Sequence, residues 1–510
     1  MHCPPLLSAL ALVLCTAANA APASDAPSPS RPHAEQWRAL SRFGYGPTEQ
    51  DSPNAAQGVQ GRAWAMDALA RGSQAALRPA VIPPEYSGFE APLPSLIAQE
   101  QASQQARKEQ RREQTARAAT NAGMAATSGA ALTAVVPGQT GERLFSREVA
   151  SDAAQWRLWS CSHPDEEPPL LARMTEFWFN HFNVFVGKGS VRPFVGHYVV
   201  HAIRPHALGH FEDLLLATAQ HPAMLAYLDQ VRSQAETAAP AYGANNTPAG
   251  KAPRGLNENY AREVMELHTL GVGGGYTQAD VRALARILTG WTIDPQSASG
   301  FRFAARRHDT GTKVFLGQTF ANAGEQEGLR ALHLLAMQPA TAHRISLRLA
   351  QWFVADEPPT ALVEHLTQRY LATQGDIHAV MQTLIESPET WAPENQLFKT
   401  PMDYACSVLS VLGPGDHPAQ MRQAQGFLRN AGQALHGWIT PDGYGTSAAT
   451  WLSPEALTRR VDFAVQVGRA VPQPQALAPW LPAQTWARIA SEPEGNQAGL
   501  ALASPAWMRK

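Results

Sequence analysis

Residues 257–272 read NENYAREVMELHTLGV and hold three glutamates, two asparagines, an arginine and a histidine. Only 16% of the chain is charged, so this crowding makes the segment the first candidate for chemistry. Asn257 or Asn259 suits a helix N-cap, because an asparagine side chain accepts a hydrogen bond from the first turn. Glu258 suits the positive end of the helix dipole, and Gly271 suits the end of the helix. The segment therefore predicts a single capped helix.

The spacing within this segment gives the predicted helix two neighbouring stripes. Tyr260, Val264 and Leu267 follow the pattern i, i+4, i+7, which is typical of an apolar stripe against a core. Glu263 and Glu266 lie on the adjacent stripe, so they project together beside the buried face. The spacing therefore predicts a pair of partly buried carboxylates.

Two interpretations of this carboxylate pair stay open. In the first, the two groups share a site as general acid and base, or as ligands of a hard metal ion. In the second, Arg262 neutralises Glu258 and Glu266, each four residues away, in a buried polar network. Under the first interpretation, Asn257, Glu258, Asn259 and Arg262 are candidates for ligand binding beside the pair.

Two further segments supply candidate site residues. Residues 174–185 read MTEFWFNHFNVF and are aromatic almost all round, which predicts burial. Within them, His181 is either a hydrogen-bonded core residue or a catalytic or metal-binding group, and Asn180 is a candidate for ligand binding. Farther along, His308 and Asp309 lie in a polar turn and can donate ligands or relay a proton to the helix site.

The rest of the chain is predicted to be mostly helical. Many alanines and leucines favour helices, while 40 prolines and 38 glycines imply frequent breaks. We predict an all-α fold, a bundle-like array of many helices with long loops and at most a short β-hairpin after residue 308. A helix over 97–119 is polar on all sides, which predicts exposure to solvent. Residues 34–510 are predicted to form a single large helical domain, with mobile insertions near 120–140 and 235–254.

The first residues have the pattern of a secretory signal peptide. Residues 6–14 are apolar but too short to span a bilayer, and residues 18–20 read ANA, a cleavage signal of the A-x-A type. We predict cleavage near Ala20, a disordered linker over 21–33, and a periplasmic or secreted protein. No later segment has about 18 uninterrupted apolar residues, so the sequence predicts no transmembrane segment.

Cys161 and Cys406 are the cysteines that remain after this cleavage. In an oxidising compartment the two thiols can form a disulfide. Alternatively, both remain unpaired and buried, because nothing in the sequence indicates that they are close in space. Two cysteines so far apart do not indicate a zinc site.

Several function classes find no support in the sequence. The net charge of −2 gives no electrostatic reason to expect binding to nucleic acid. The chain has no Gly-x-Ser-x-Gly elbow, no P-loop and no dinucleotide-binding glycine motif after a strand. We therefore expect any catalytic or binding residues to lie in the segments 257–272, 174–185 and 308–309.

The chain resembles the bacterial family known as domain of unknown function 1800. The resemblance covers nearly the whole mature chain and rests on ordered segments, which are RFGYGP at 42–47, FWFNHF at 177–182, IRPHA at 203–207, AMLAYLD at 223–229, residues 257–272, YTQADV at 276–281, ARILTGW at 285–291, HD at 308–309, GQ at 432–433, GW at 437–438, PDGY at 441–444 and WL at 451–452.

The resemblance implies a predominantly α-helical, exported protein, and the family's activity is not established. It also implies a partner, because the genes of this family often lie beside those of another exported family that looks sulfatase-like. Relatives often carry phenylalanine where this chain has His268. That difference favours five other side chains as the site residues: Glu258, Glu263, Glu266, His181 and His308.

Two hypotheses about function follow. In the first, the protein is an exported enzyme in which Glu263, Glu266 and His181 are catalytic. The cofactor is unknown, and a divalent metal held by these three residues and His308 is the candidate. In the alternative, the protein is a non-catalytic envelope scaffold, or an escort of another exported protein, and exposes a large apolar patch.

Overall fold

The computed structural model describes residues 33–48, 51, 61–128, 145–236, 255–413 and 415–510, without the side chains of 120–128. The predicted signal peptide, most of the predicted linker and most of both predicted insertions lie outside these ranges. The structure is 63% helical with 4% strand, which confirms the all-α class. One predicted loop differs, because a helix continues to Ser128 and includes the start of the insertion expected near 120–140.

Helices occupy most of the described chain. The α-helices are α1 (Ala34–Arg42), α2 (Gly61–Ala76), α3 (Leu93–Ser128), α4 (Phe145–Ser162), α5 (Pro169–His181), α6 (Val195–His197), α7 (Phe211–Gln220), α8 (Pro222–Tyr227), α9 (Glu258–Glu263), α10 (Gln278–Ile287), α11 (Glu325–Ala336), α12 (Pro339–Phe353), α13 (Thr360–Ala372), α14 (Ile377–Glu386), α15 (Pro401–Leu409), α16 (Pro418–Asn430), α17 (Ala448–Trp451), α18 (Pro454–Gly468), α19 (Ala483–Ile489) and α20 (Glu494–Ala503).

Shorter helical turns connect these elements. The 3₁₀ turns are Pro84–Phe89, Arg192–Phe194, Arg204–His206, Gln230–Arg232, Ala305–Arg307, Pro388–Thr390 and Pro474–Trp480. Helices α6 and α9 both continue as π-helical segments, Tyr198–Ile203 and Val264–His268. Such π segments are rare and often lie at functional sites.

Two small antiparallel hairpins interrupt the helices. Strand β3 (Lys313–Phe315) pairs with β4 (Gln318–Phe320), which confirms the hairpin predicted after residue 308. Strand β1 (Trp291–Ile293) pairs with β2 (Phe301–Phe303), with Trp291 opposite Phe303. This other hairpin was not predicted, because strands of three residues are too short to show an alternating pattern.

The buried apolar side chains form one connected core that extends from Trp37 to Met508. Helix α3 leaves this core, since residues 104–119 are exposed, and its predicted solvation is confirmed. With a rise of about 1.5 Å per residue, its 36 residues span roughly 54 Å. No helix in the described ranges is long and apolar enough to cross a membrane.

A disulfide joins Cys161 of α4 to Cys406 of α15, and the two Cα atoms are 5.7 Å apart. Of the two alternatives left open by the sequence, the structure therefore has the bonded one. The bond links positions separated by 245 residues. It therefore ties the first third of the chain to its C-terminal third.

The segment from Asn257 forms the predicted capped helix, with a change in its buried face. Asn257 is the N-cap, since its Oδ1 accepts a hydrogen bond from the Tyr260 backbone at 3.0 Å. After residue 264 the wider π turn rotates the side chains relative to an α-helix. Met265 and His268 are buried as a result, whereas the predicted core residue Leu267 is only half-buried.

Candidate functional site

The carboxylates of Glu263 and Glu266 are half-buried on one side of α9 and its π extension. The hydroxyl of Tyr276 donates a hydrogen bond to Glu266 Oε2 at 3.0 Å. Burial, followed by the charge of Glu266 and opposed by Arg262, raises the pKa of Glu263, and Asp442 adds to that rise. The sequence prediction that the two glutamates project together is consistent with this mutual influence.

Asp442 reaches the glutamates from a loop far along the chain. Trp438 Nε1 donates to Asp442 Oδ1 at 2.9 Å, and Thr440 Oγ1 donates to the same oxygen at 2.6 Å. These two bonds hold the carboxylate of Asp442 in place within the exposed loop 438–444. The loop therefore contributes a third acidic group to the site.

Two asparagines of the aromatic segment anchor this loop. Asn180 Nδ2 donates to Tyr444 O at 2.9 Å, and the Tyr444 backbone donates back to Asn180 Oδ1 at 2.7 Å. Asn183 Nδ2 donates to Trp438 O at 3.2 Å and to Thr440 O at 2.8 Å. Asn180, a predicted ligand-binding residue, therefore has its amide engaged with the protein backbone.

Arginines 344 and 348 of helix α12 lie next to the carboxylates. Arg344 donates from Nε and Nη2 to Leu267 O at 3.2 and 3.0 Å, and so caps the end of the π segment. Arg348 Nε is buried and has no hydrogen-bond partner. The charges of Glu266 and Asp442 act on Arg344 and Arg348, respectively. Helix α12 therefore supplies two cationic groups to the site.

None of the five charged groups described so far forms an ion pair with a described residue. Among the described residues, no salt bridge within 4.0 Å involves the set Glu263, Glu266, Asp442, Arg344 and Arg348. We call this set the open charge cluster. Its members influence one another through space, and the side chains of Glu263 and Arg348 form no hydrogen bond among the described residues.

Two histidines lie buried beside the cluster. His181 Nε2 donates to His268 O at 3.0 Å, while His181 Nδ1 has no partner. Burial, and then the charges of Arg348 and Arg344, hold the pKa of His181 well below its usual range. Burial and then Arg344 lower the pKa of His268 to about 3. Both rings are therefore neutral at physiological pH.

Arg262 does not neutralise the carboxylates by direct pairing. Gln278 lies between the two groups, since its Nε2 donates to Glu258 Oε2 at 2.8 Å and its Oε1 accepts from Arg262 Nη2 at 2.7 Å. Arg262 forms no ion pair with Glu258 or Glu266 in the part of the chain that the structure describes. Direct bonding of Arg262 to these carboxylates, one form of the neutralising alternative, is therefore not observed among the described residues. Asn259 is exposed, and Asn257 is occupied as the N-cap.

His308 and Asp309 belong to a different polar network. His308 Nε2 contacts Glu327 Oε1 at 2.9 Å, and Lys313 Nζ donates to Glu327 Oε2 at 2.7 Å. Arg286 donates to both oxygens of Asp309 at 2.8 and 3.0 Å. These groups are paired with each other, and none of their hydrogen bonds or ion pairs connects them to the open charge cluster.

The predicted metal ligands are accordingly not gathered in one place. Glu263 and Glu266 lie together, His181 is buried with Nε2 engaged, and His308 is bonded to Glu327. Within the described ranges, no three His, Cys, Asp or Glu side chains form a group that could hold a metal ion. The divalent metal stays a prediction from the sequence alone.

Three members of the open charge cluster were not predicted from the sequence. Arg344 and Arg348 are four residues apart on the helix PATAHRISLRLAQWF and so lie on one face of it, and this spacing was a usable signal. Asp442 had no comparable local signal, because an Asp-Gly turn usually indicates only a loop. Its role depends on a contact between distant segments.

The matched protein family has the description "Protein of unknown function (DUF1800)", and its model covers residues 38–509. The chain belongs to the DUF1800 family. No curated protein and no solved structure matches the chain. In this DUF1800 protein, three of the segments that carry the resemblance meet at one place, namely 177–182, 257–272 and 441–444. Asn180 of the first segment is hydrogen-bonded to Tyr444 of the third, and His181 of the first is hydrogen-bonded to His268 of the second. These bonds lie beside the open charge cluster.

Proposed function

We propose that this DUF1800 protein is an exported enzyme whose acid–base centre is the open charge cluster. The observation that carries the proposal is the absence of ion pairs within the cluster, among the described residues, although its groups are close enough to shift one another's pKa values. Unpaired, partly buried charges cost free energy in the absence of a ligand, and perturbed acidities are typical of functional sites.

Three buried ion pairs elsewhere in the protein provide a contrast. Arg204 binds Glu167 through two bonds of 2.8 Å, and Arg173 binds Asp403 at 2.9 Å. Lys313 binds Glu327 at 2.7 Å. Each of these pairs satisfies the usual rule that a buried charge is neutralised by a partner. The open charge cluster departs from the rule, and in our proposal a substrate supplies the missing partners.

In this proposal Glu263 is the general acid. Its raised pKa favours the protonated carboxyl group more than in an ordinary glutamate, and a proton donor requires that form. Glu266, oriented by Tyr276, is the matching carboxylate and can accept a proton or stabilise developing positive charge. His181 is a positioning residue rather than a catalytic one, because it bonds the backbone at the end of the π segment.

Export is part of the proposal. The disulfide between Cys161 and Cys406 supports an oxidising compartment, such as the periplasm or the extracellular space. The predicted signal peptide, with cleavage near Ala20, would direct the chain there. A mature protein purified from the periplasm that begins after Ala20 would establish this step.

The first test needs no known substrate. Carbon-13 NMR of labelled glutamate side chains would follow each carboxyl group through an acid titration. We expect one glutamate with a pKa above the ordinary 4.5 that disappears in Glu263→Gln and moves down in Asp442→Asn. Glu258→Gln, which alters a carboxylate outside the cluster, is the matched control. An ordinary pKa at Glu263 would count against the acid–base centre.

The second test is activity. A panel of chromogenic esters, amides and glycosides would be assayed with the wild type and with Glu263→Gln, Glu266→Gln and Glu258→Gln. Loss of a general acid typically lowers the rate by about 10²–10⁴-fold, so only the first two variants should show such losses. Equal losses in all three variants, or none, would contradict the assigned roles.

The alternative, an escort for another exported protein, has one structural feature in its favour. Val272 and Ile439 are 79% and 68% exposed in loops that border the open charge cluster. Exposed apolar side chains of this size can contribute to a protein interface. Mixing with the sulfatase-like neighbour, followed by light scattering, tests this function. Val272→Asp with Ile439→Asp should abolish a complex, whereas Glu263→Gln should leave it intact.

A further inference from the structure

We infer that Arg348, supported by Arg344, is a subsite for a single carboxylate group of the substrate. The inference rests on the proposed function, because it assigns a ligand chemistry to one side of the open charge cluster. It can nevertheless be tested by binding alone. A substrate that carries one carboxylate and a neighbouring hydroxyl or amino group fits the charges on both sides.

The hydrogen bonding of Arg348 is the first argument. Its Nε is buried without a partner, and no hydrogen bond or ion pair of its outer nitrogens is found among the described residues. Because those outer nitrogens are not among the buried unsatisfied atoms, they face solvent-accessible space. The guanidinium therefore presents free donors at the surface of the site.

Other arginines of the interior are engaged, which makes Arg348 unusual. Arg42 donates to two backbone carbonyl groups, those of Thr390 and Asn395. Arg460 donates to the carbonyl of Lys399 at 2.8 Å. Arg42 and Arg460 each also have one buried nitrogen without a partner. Arg348 differs because none of its nitrogens has an acceptor among the described residues.

Arg344 also supports the subsite, because it lies about one helical turn before Arg348 and is hydrogen-bonded to the backbone of the π segment. Two of its nitrogens are bonded to Leu267 O, which leaves Nη1 without a protein acceptor in the described chain. Gly271, at φ 87°, lies against this side chain, and a Cβ there would come within 3.2 Å of Arg344 Nη1. The glycine thus allows the guanidinium to lie close to the backbone, with one free donor.

Charge decides which anion the subsite favours. Burial lowers the pKa of Arg348 to about 10, so the group is still a cation at neutral pH. The negative charges of Glu266 and Asp442, which act on Arg344 and Arg348, repel a second negative charge on a ligand. A monoanion is therefore favoured over a dianion. A carboxylate also matches the planar fork of a guanidinium, which binds two oxygens at once.

The experiment uses saturation-transfer difference NMR, which detects weak ligands through their methyl protons. The probes are acetate as the monoanion, acetamide as its neutral analogue, and methylphosphonate above its second pKa as the dianion. The proteins are the full mature chain and the variants Arg348→Met, Arg348→Lys and Arg330→Met. Arg330 is an exposed arginine that packs over Phe320, 4.8 Å from the ring centre, and serves as the matched control.

We expect acetate to give saturation transfer with the wild type and with Arg330→Met, and to outcompete the other two probes. In Arg348→Met, acetate should bind on the order of 10- to 100-fold more weakly, because a charge-assisted bond is lost. Arg348→Lys should restore part of the binding. Near-ultraviolet circular dichroism shows whether each variant remains folded, and Arg348→Lys keeps the test valid if Arg348→Met does not.

Opposite results would overturn the inference. These are acetate binding that is equal in all variants, binding that is absent from the wild type, or methylphosphonate binding more tightly than acetate. Glu263→Gln separates this inference from the proposed function, because it removes the acid–base group but keeps both arginines, so acetate should still bind. Acetate binding with an ordinary Glu263 pKa would support the subsite and contradict the acid–base centre.

Discussion

His181 Nε2 donates a hydrogen bond to the backbone carbonyl of His268 at 3.0 Å. The bond connects the end of the aromatic helix α5 to the end of the π segment that follows Glu263. It also determines the tautomer of His181, because a carbonyl only accepts and the proton must therefore be on Nε2. His181 therefore cannot use Nε2 to bind a metal ion without breaking its hydrogen bond to the end of the π segment.

The first prediction concerns this bond. His181→Ala removes the donor and a buried ring, so we expect a loss of about 2–4 kcal/mol in the free energy of unfolding. Urea denaturation followed by circular dichroism measures it. His333→Ala, which breaks an exposed pair with Glu212, is the control and should cost under about 1 kcal/mol. A neutral effect of His181→Ala would contradict the structural role.

The second prediction concerns acid stability. Burial lowers the pKa of His268, from 6.5 in the unfolded chain to about 3, and that of His197 by a similar amount, helped by His201. Below pH 6.5 the unfolded state therefore binds more protons than the folded state. The stability that these two histidines contribute is fully present above pH 6.5 and is lost as the pH falls towards 3.

The variant His268→Phe isolates one contribution to this pH dependence. Phenylalanine keeps a ring of similar size but cannot be protonated, and it removes the unpartnered buried Nε2 of His268. We expect unchanged or higher stability at pH 7 and a shallower loss between pH 6.5 and 4. Unfolding free energies measured across this range provide the test. An identical pH profile in the variant would show that His268 does not titrate as the structure implies.

The third prediction concerns the disulfide. Reduction, or Cys161→Ser with Cys406→Ser, removes a link across 245 residues and should lower the free energy of unfolding by about 2–4 kcal/mol. Denaturation with and without reductant measures the change in the wild type. The double serine variant is the control, because reductant should not affect it. An effect of reductant on that variant would indicate another cause.

The fourth prediction concerns the loop that carries Asp442. Asn183→Ala removes two hydrogen bonds to Trp438 and Thr440, so we expect faster hydrogen exchange in residues 438–444. Activity of the cluster should fall, because Asp442 is no longer held in place, while global stability should fall by only about 1–2 kcal/mol. Asn322→Ala, in an exposed turn, is the control. Unchanged exchange in the loop would refute the anchoring role of Asn183.

Local features of the chain were predictable because they depend on neighbouring residues. The Asn257 cap, the paired projection of Glu263 and Glu266, and the short hairpin after residue 308 each follow from a few adjacent positions. The burial of Leu267 was wrongly predicted, since α-helical spacing does not hold through a π turn. The local sequence pattern did not indicate the change from α-helical to π-helical hydrogen bonding.

The composition of the site was less predictable, because it depends on distant contacts. His308 was expected near the glutamates, but the hairpin places it against Glu327. Asp442 was not expected there, and Asn180 brings its loop to the helix across 264 residues. Neutralisation of Glu266 by Arg262 was one of two alternatives left open, and Gln278 accepts the hydrogen bond of Arg262 instead.

The sequence by itself determined the helical class, the family and the helix that carries the two glutamates, because periodicity, capping and motifs are local properties. Only the tertiary structure decided that Arg344, Arg348 and Asp442 complete the site without pairing to the glutamates. The physical reason is that charge pairing depends on distances between side chains on separate elements. Those distances are set when α5, α9, α12 and the loop 438–444 pack together.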